Sequence, residues 1–232
     1  MNPKLLTLAA AIVVAATQSS NAAGVVWQWT GNAGTGDWQT ANNWSGNVSN
    51  TEYNGTFNNR LNVNGAQKLT YTAAEGTTVY TGNVTTNSGL VVGSTSNGTM
   101  EITGGTFSTA GSAGTVIGNG NNATGILTVN GGNFISTNGT KLGLGTGAGR
   151  VSILNVQAGT ATVGTLNMNS TNATVNLSGT GILAATSITK AASTTATFNF
   201  DGGTLQASAA SSSFLTANNT YVKSGFIRKL CA

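Results

Sequence analysis

The chain has 232 residues, of which only 6% are charged, with 33 glycines, no histidine, one proline and one cysteine. Its formal net charge of +4 sits at the ends: setting aside Lys4, Lys223, Arg228 and Lys229 leaves Arg60, Lys68, Lys141, Arg150 and Lys190 against Asp37, Glu52, Glu75, Glu101 and Asp201. A neutral body has no basic patch to release counterions from phosphates, which excludes nucleic acid as a partner, and Cys231 alone makes no internal disulfide.

Residues 1–23 read as a signal peptide. Met1 to Lys4 is a short basic start, Leu5 to Thr17 is an apolar core, and Ser20-Asn21-Ala22-Ala23 supplies small residues for cleavage after Ala22 or Ala23. The apolar run is too short to span a bilayer. The expectation is a secreted or outer-surface protein with no transmembrane segment in the mature chain, of a length suited to one domain.

Residues 24–60 hold all four tryptophans: Trp27, Trp29, Trp38 and Trp44. Trp27 and Trp29 share one face of a strand, while Trp38 and Trp44 flank a turn rich in Gln, Thr and Asn. Two uses compete for them. They form a lid over an apolar interior, or Trp38 and Trp44 stack against sugar rings.

From residue 100 onward one frame recurs: apolar, any, apolar, any, small, any, any, apolar. It appears as Met100-Ile102-Gly104-Phe107, Leu127-Val129-Gly131-Phe134, Leu154-Val156-Ala158-Ala161, Val175-Leu177-Gly179-Ile182 and Phe198-Phe200-Gly202-Leu205, with starts 27, 27, 21 and 23 residues apart. Period-two alternation marks strands, and the small residue marks a bend. Upstream of each copy lies another short strand candidate, often followed by glycine, as in Val91-Val92-Gly93 or Val116-Ile117-Gly118. Units of this kind stack as coils of a solenoid.

The predicted fold is therefore all-β, a single-stranded right-handed parallel β-helix with an N-terminal aromatic cap. Residues 61–210 form about five to seven coils, with Met100, Ile102, Leu127, Val129, Leu154, Val156, Val175, Leu177, Phe198 and Phe200 as its core ladder. Asn155, Asn176 and Asn199 fall at one outward position in consecutive copies, which predicts an amide ladder. Residues 61–90 fit the frame less well: Leu61-Val63-Gly65 is followed by Leu69 one position late. Residues 211–232 leave the frame and read as an irregular tail, either a truncated or frame-shifted end or a short cap.

The stretch Trp29-Thr30-Gly31-Asn32, Gly36-Asp37-Trp38 and Ala41-Asn42-Asn43-Trp44-Ser45-Gly46, followed by units such as Gly125-Ile126-Leu127-Thr128-Val129-Asn130-Gly131-Gly132-Asn133-Phe134, resembles the autotransporter-associated beta-strand repeat proteins of bacterial surfaces. The resemblance covers roughly residues 25 to 207. It implies a passenger-like surface solenoid, an adhesin, in proteins that often carry a translocating barrel or a sorting tail. Neither is recognisable in these 232 residues.

The residues offer little to catalysis. Glycoside hydrolysis needs two carboxylates about 5 to 9.5 Å apart, and Glu101 and Asp201, in the first and fifth copies, are separated by four coils, or ~19 Å. Arg150 and Lys141 have no acids near them in sequence, as a lyase would require. The absence of histidine removes the commonest general base and metal ligand. The glycine run 143–149 lacks the Lys-Ser/Thr pair of a phosphate loop. Thr70-Tyr71-Thr72 and Thr160-Ala161-Thr162 hint at an ice-binding face, without copies in register between them. The expectation is a non-enzymatic structural or adhesive protein with no catalytic residue, cofactor or metal, its partners being surface glycans or neighbouring cell-surface proteins. The alternative is a carbohydrate-binding or carbohydrate-active β-helix, which requires at least two of Asp37, Glu52 and Glu75 to converge beside an exposed tryptophan.

Overall fold

A computed structural model describes residues 26–45, 55–57, 60–80, 88–110, 114–143, 149–170, 172–191, 195–210, 212–216 and 219–222. The signal peptide, Glu52, most of the 143–149 glycine run and Cys231 lie outside them. Among the described residues, regular structure is strand throughout apart from the short 3-10 turns Ala41–Asn43 and Ala73–Glu75.

The strands stack in three parallel columns, so each coil crosses three faces. The first face runs Val26–Trp29, Arg60–Val63, Ser88–Val92, Gly114–Ile117 and Thr140–Leu142, then 165–168 and 187–190. The second runs Leu69–Tyr71, Gly98–Ile102, 124–129, 151–156, 172–177, 195–200 and Asn219–Val222. The third runs Gly55–Phe57, Thr77–Tyr80, Thr106–Thr109, 133–136, 160–163, 182–185 and 204–207. Every backbone group inside such a column pairs with the coil before and the coil after.

Alternation decides which side chains enter the axis. On the second face Leu69, Met100, Leu127, Leu154, Val175 and Phe198 lie in one register line, and Tyr71, Ile102, Val129, Val156, Leu177 and Phe200 in the next. All are fully buried except Phe200, at 8% exposure. Phe107, Phe134, Ala161, Leu183 and Leu205 continue inward on the third face.

Turning from the first face to the second requires a tight bend at a fixed height. Gly93, Gly118 and Gly143 make it at φ of 74°, 70° and 83°, a region that costs a residue with a Cβ and not glycine. Their N–H groups donate to Val63, Val92 and Ile117 carbonyls at 2.9, 2.7 and 2.7 Å, handing the stacking bonds around the corner.

In the fourth copy of the frame Leu183, not Ile182, stacks inward on Ala161, because that copy has one residue more at its corner, and two further parts of the chain differ from the sequence expectation. Leu61 and Val63 belong to the first face, under Trp27 and Trp29, while the second-face copy of this coil is Leu69 and Tyr71. The same apolar-any-apolar frame serves both faces. The turn Ala73–Glu75 lengthens the step from Tyr71 to the next inward residue, Thr78, which hid the true register. The tail also rejoins the solenoid: Leu215 bridges to Ile188, Phe214 is buried, and Asn219–Val222 adds a strand over 197–200. Thr220 and Val222 pair with Phe198 and Phe200 but are exposed, and two positions are too few to register as a repeat.

Candidate functional site

Two parts of this solenoid are candidates for function: the outward side of the second face and the N-terminal end. Outward on the second face, register places Thr70, Glu101, Thr128, Asn155, Asn176, Asn199 and Tyr221 in one line. Asn199 Nδ2 donates to Asn176 Oδ1 at 2.8 Å, Asn176 Nδ2 to Asn155 Oδ1 at 2.8 Å, and Asn155 Nδ2 to Thr128 Oγ1 at 3.1 Å. Stacked amides can do this because the coil spacing matches a side-chain hydrogen bond in length. The result is a flat, hydrogen-bonded strip with charge only at its margins.

At one margin Lys68 Nζ donates to Glu101 Oε2, and Asn130 Nδ2 donates to Oε1 at 3.0 Å. The bond from Lys68, then that from Asn130, hold the Glu101 carboxyl below its usual range against a smaller opposing effect of burial. Glu101 is therefore committed to a cross-coil contact.

The N-terminal end is a plug of aromatic rings. Trp38 meets Trp44, Tyr71 and Phe107 edge-on at centroid distances of 5.0, 5.4 and 6.2 Å, and Trp29 meets Trp44 at 5.2 Å. Such T-shaped pairs set the positive ring edge against the negative face of the next. Trp44 Nε1 donates to the Trp38 carbonyl at 2.8 Å and Trp29 Nε1 to the Gln67 carbonyl at 3.2 Å, so these indole N–H groups are satisfied within the protein. Trp38 is 1% exposed and Trp44 9%. Neither ring can serve as a sugar platform, because the face a pyranose would cover is already packed; the glycan-stacking expectation is corrected on that ground.

Sequence reasoning gave no role to Asn43, yet it ties the plug together. Its Oδ1 accepts from Ala33 N at 2.9 Å, and its Nδ2 reaches Thr35 Oγ1 at 2.9 Å and the Asp37 carbonyl at 3.2 Å. Its own carbonyl accepts from Thr30 N and Gly31 N. A fully buried asparagine saturated in this way fixes a loop much as a short strand pairing would. The only sequence signal was its place between two tryptophan motifs.

The acids do not assemble into a reacting pair. Asp37 closes a turn, accepting from Gln39 N and Thr40 Oγ1, both at 3.0 Å. Glu75 is 2% exposed and caps the turn Ala73–Glu75, accepting from Thr72 N at 2.6 Å and Thr72 Oγ1 at 2.7 Å. Gln39 touches both acids, since its Nε2 also reaches Glu75 Oε1 at 3.4 Å. Asp37 and Glu75 thus approach one another, but Glu75 is saturated and the neighbouring tryptophans are buried. Glu101 and Asp201 share the second face, four coils apart.

The bases are dispersed as well. Arg60 Nε donates to Asn62 Oδ1 at 2.7 Å and Nη2 to Ser94 Oγ at 3.3 Å, with its pKa lowered by burial. Arg150 Nη2 donates to Asn121 Oδ1 at 3.1 Å, and Lys141 stands on the outward first face beside Val116 and Asn167. Thr70 and Thr72 belong to the second face and its following corner, while Thr160 and Thr162 belong to the third, so the two Thr-any-Thr triplets never share a ladder. Among the described residues there is no group of three or more His, Cys, Asp or Glu placed to share a metal ion, and no helix long and apolar enough to cross a membrane.

Three columns of parallel strands around an apolar axis define a parallel β-solenoid. Compared with protein-family models, curated proteins and solved structures, the chain finds no match in any of the three.

Proposed function

We propose that this is a secreted or cell-surface β-solenoid whose work is structural and adhesive, without catalysis, in the manner implied by its resemblance to autotransporter-associated repeats. The observation that supports this reading best is the amide ladder from Thr128 to Asn199. It makes the outward second face flat, rigid and nearly uncharged over several coils, a surface suited to broad contact with glycans or proteins and unsuited to gathering reactive groups. The described acids support the same reading, since Glu75 and Glu101 are each engaged by neighbouring groups and Glu101 stands coils away from Asp201.

The test has two arms. Beads coated with the full chain are expected to attach to cells or surface polymers, and the same preparation is expected to release no reducing or unsaturated sugar from polysaccharides. Measurable turnover abolished by Asp201→Ala or Asp37→Ala overturns the non-catalytic reading. Recovery of the intact protein from the cytoplasm of its producing cell, with residues 1–23 retained, overturns secretion.

A further inference from the structure

The outward side of the third face differs from that of the second. Register places Thr77, Thr106, Asn133, Thr160, Ile182 and Thr204 in one line, one residue to a coil. The neighbouring line, from Val79 to Gln206, reads Val, Ser, Ile, Thr, Ala, Gln in the same register. Neither line contains a charge or an aromatic ring.

The second face spends its amides on one another, whereas the third leaves its hydroxyls unspent. Thr106 Oγ1 accepts from Asn133 Nδ2 at 3.4 Å. The hydroxyls of Thr77, Ser108, Thr160, Thr162 and Thr204 have no partner among the described residues, and none of these side chains is buried. They face water. Threonine is β-branched and stiff at χ1, so the array is ordered before it meets a ligand.

Spacing says what fits such an array. Hydroxyls in successive coils stand ~4.8 Å apart, too far to bond one another at ~2.8 Å. One water between them bonds both, because two bonds of ~2.8 Å meeting at a tetrahedral angle put their far ends about 4.6 Å apart. This is the second-neighbour spacing of tetrahedrally bonded water, and crystalline water repeats it without end. A lone hydroxyl gains nothing from ice over liquid. A line of them held at this repeat is bonded at many coils at once.

We propose that the outward third face is an ice-binding surface. Other occupants fit it less well. Five coil spacings by a four-residue strand give about 300 Å², against roughly 800 Å² buried by each partner of a stable protein complex. A glycan finds no aromatic ring to stack on, and an ionic polymer finds no charge. The proposal concerns a face that the adhesive reading leaves out, so neither depends on the other.

The test is osmometry of the full chain on single ice crystals, with crystal shape recorded. A gap between melting and freezing points and faceted crystals are expected. Both should be lost in Thr160→Lys and in Thr106→Lys, which drive a long charged side chain into the array. Both should persist in Thr174→Lys, which puts the same charge on the outward second face. Unfolding midpoints measured alongside establish that each variant is folded, and Thr160→Val, which keeps the shape and removes one hydroxyl, should narrow the gap at unchanged midpoint. The proposal is overturned if melting and freezing points of the unmodified chain coincide, or if Thr174→Lys abolishes the gap as completely as Thr160→Lys. Dimerisation in sedimentation, or retention on insoluble cellulose, that Thr160→Lys removes would assign the face to a second copy or to a glycan and overturn it as well.

Discussion

The coils at 60–109 and those at 151–207 solve one problem with different materials. In the first, 31 residues separate Leu69 from its stacked partner Met100, and the interior is filled by Trp29, Trp38, Tyr71, Tyr80 and Phe107. In the second, 21 residues separate Leu154 from Val175, and Ala161, Ala173, Ala185 and Ala196 occupy inward positions beside Leu and Val. Large rings fill the axis of the first coils where the later coils use small aliphatics, each at native density. The N-terminal coils hold together through individual contacts with defined geometry. The later coils hold together through columns in which each member is replaceable.

That contrast yields predictions of decreasing size. Trp38→Ala removes a ring shared by three partners and should cost about 3–5 kcal/mol, read by denaturant unfolding, with end-to-end association visible by light scattering as the apolar end opens. A cost below that of Leu154→Ala in the same assay would mean that the plug is dispensable and the columns govern stability.

Tyr71 gives the plug a second signature. Burial first, then the Glu75 carboxylate, push its pKa up to about 12 against an opposing hydrogen bond with Thr78. A folded pKa above the unfolded value of ~10 favours the neutral phenol on folding. Its contribution is complete below pH ~10 and is lost as pH rises through about 12. Stability should therefore fall by on the order of 2 kcal/mol over that window, and Tyr71→Phe should flatten the fall. An unchanged alkaline slope in Tyr71→Phe would assign the loss to another group.

Asn176→Ala breaks the amide column on both sides. A cost of about 1–2 kcal/mol is expected, smaller than for any plug tryptophan, and Asn176→Asp should cost more because a carboxylate cannot donate to Asn155. The smallest effect belongs to Lys68 and Glu101. The depressed Glu101 carboxyl contributes stability above its unfolded pKa of ~4.3, and that contribution is lost as pH falls through the lower folded value. As Lys68 is half exposed, Glu101→Gln should change stability at neutral pH by less than about 1 kcal/mol and remove its share of the acid-side loss.

The second-face ladder was legible because Met100 to Phe200 alternate strictly and repeat in one frame. The outward asparagines followed from it, since a register line fixes both sides of a sheet. The coil containing Leu61 and Leu69 was not legible, because alternation carries no mark of which face it serves and a capped turn stretched the spacing. Thr78 compounded this: it is an inward polar residue made acceptable by the Tyr71 hydroxyl at 2.8 Å, a partner that sequence does not reveal. The tryptophans were rightly located as a group, but whether their rings faced inward depended on Asn43 and on Tyr71 and Phe107, which come from three different coils. The extra residue between Leu177 and Leu183 was hidden in the spacing itself, because a single added residue looks like noise until the registers on both sides are known.

The glycine corner between the first and second faces has a practical consequence. Gly93, Gly118 and Gly143 complete their bonds to the preceding coil before the chain departs, and the path from there to the second face varies in length, from Val92 to Gly98, Ile117 to Thr124 and Leu142 to Val151. Length is absorbed at this edge without disturbing the columns, because a surface excursion costs little closure entropy as it grows. Foreign peptides grafted at 95–96 or 120–122 would project from one seam of the rod, spaced by its coils, making the scaffold a natural carrier for arrays of displayed segments.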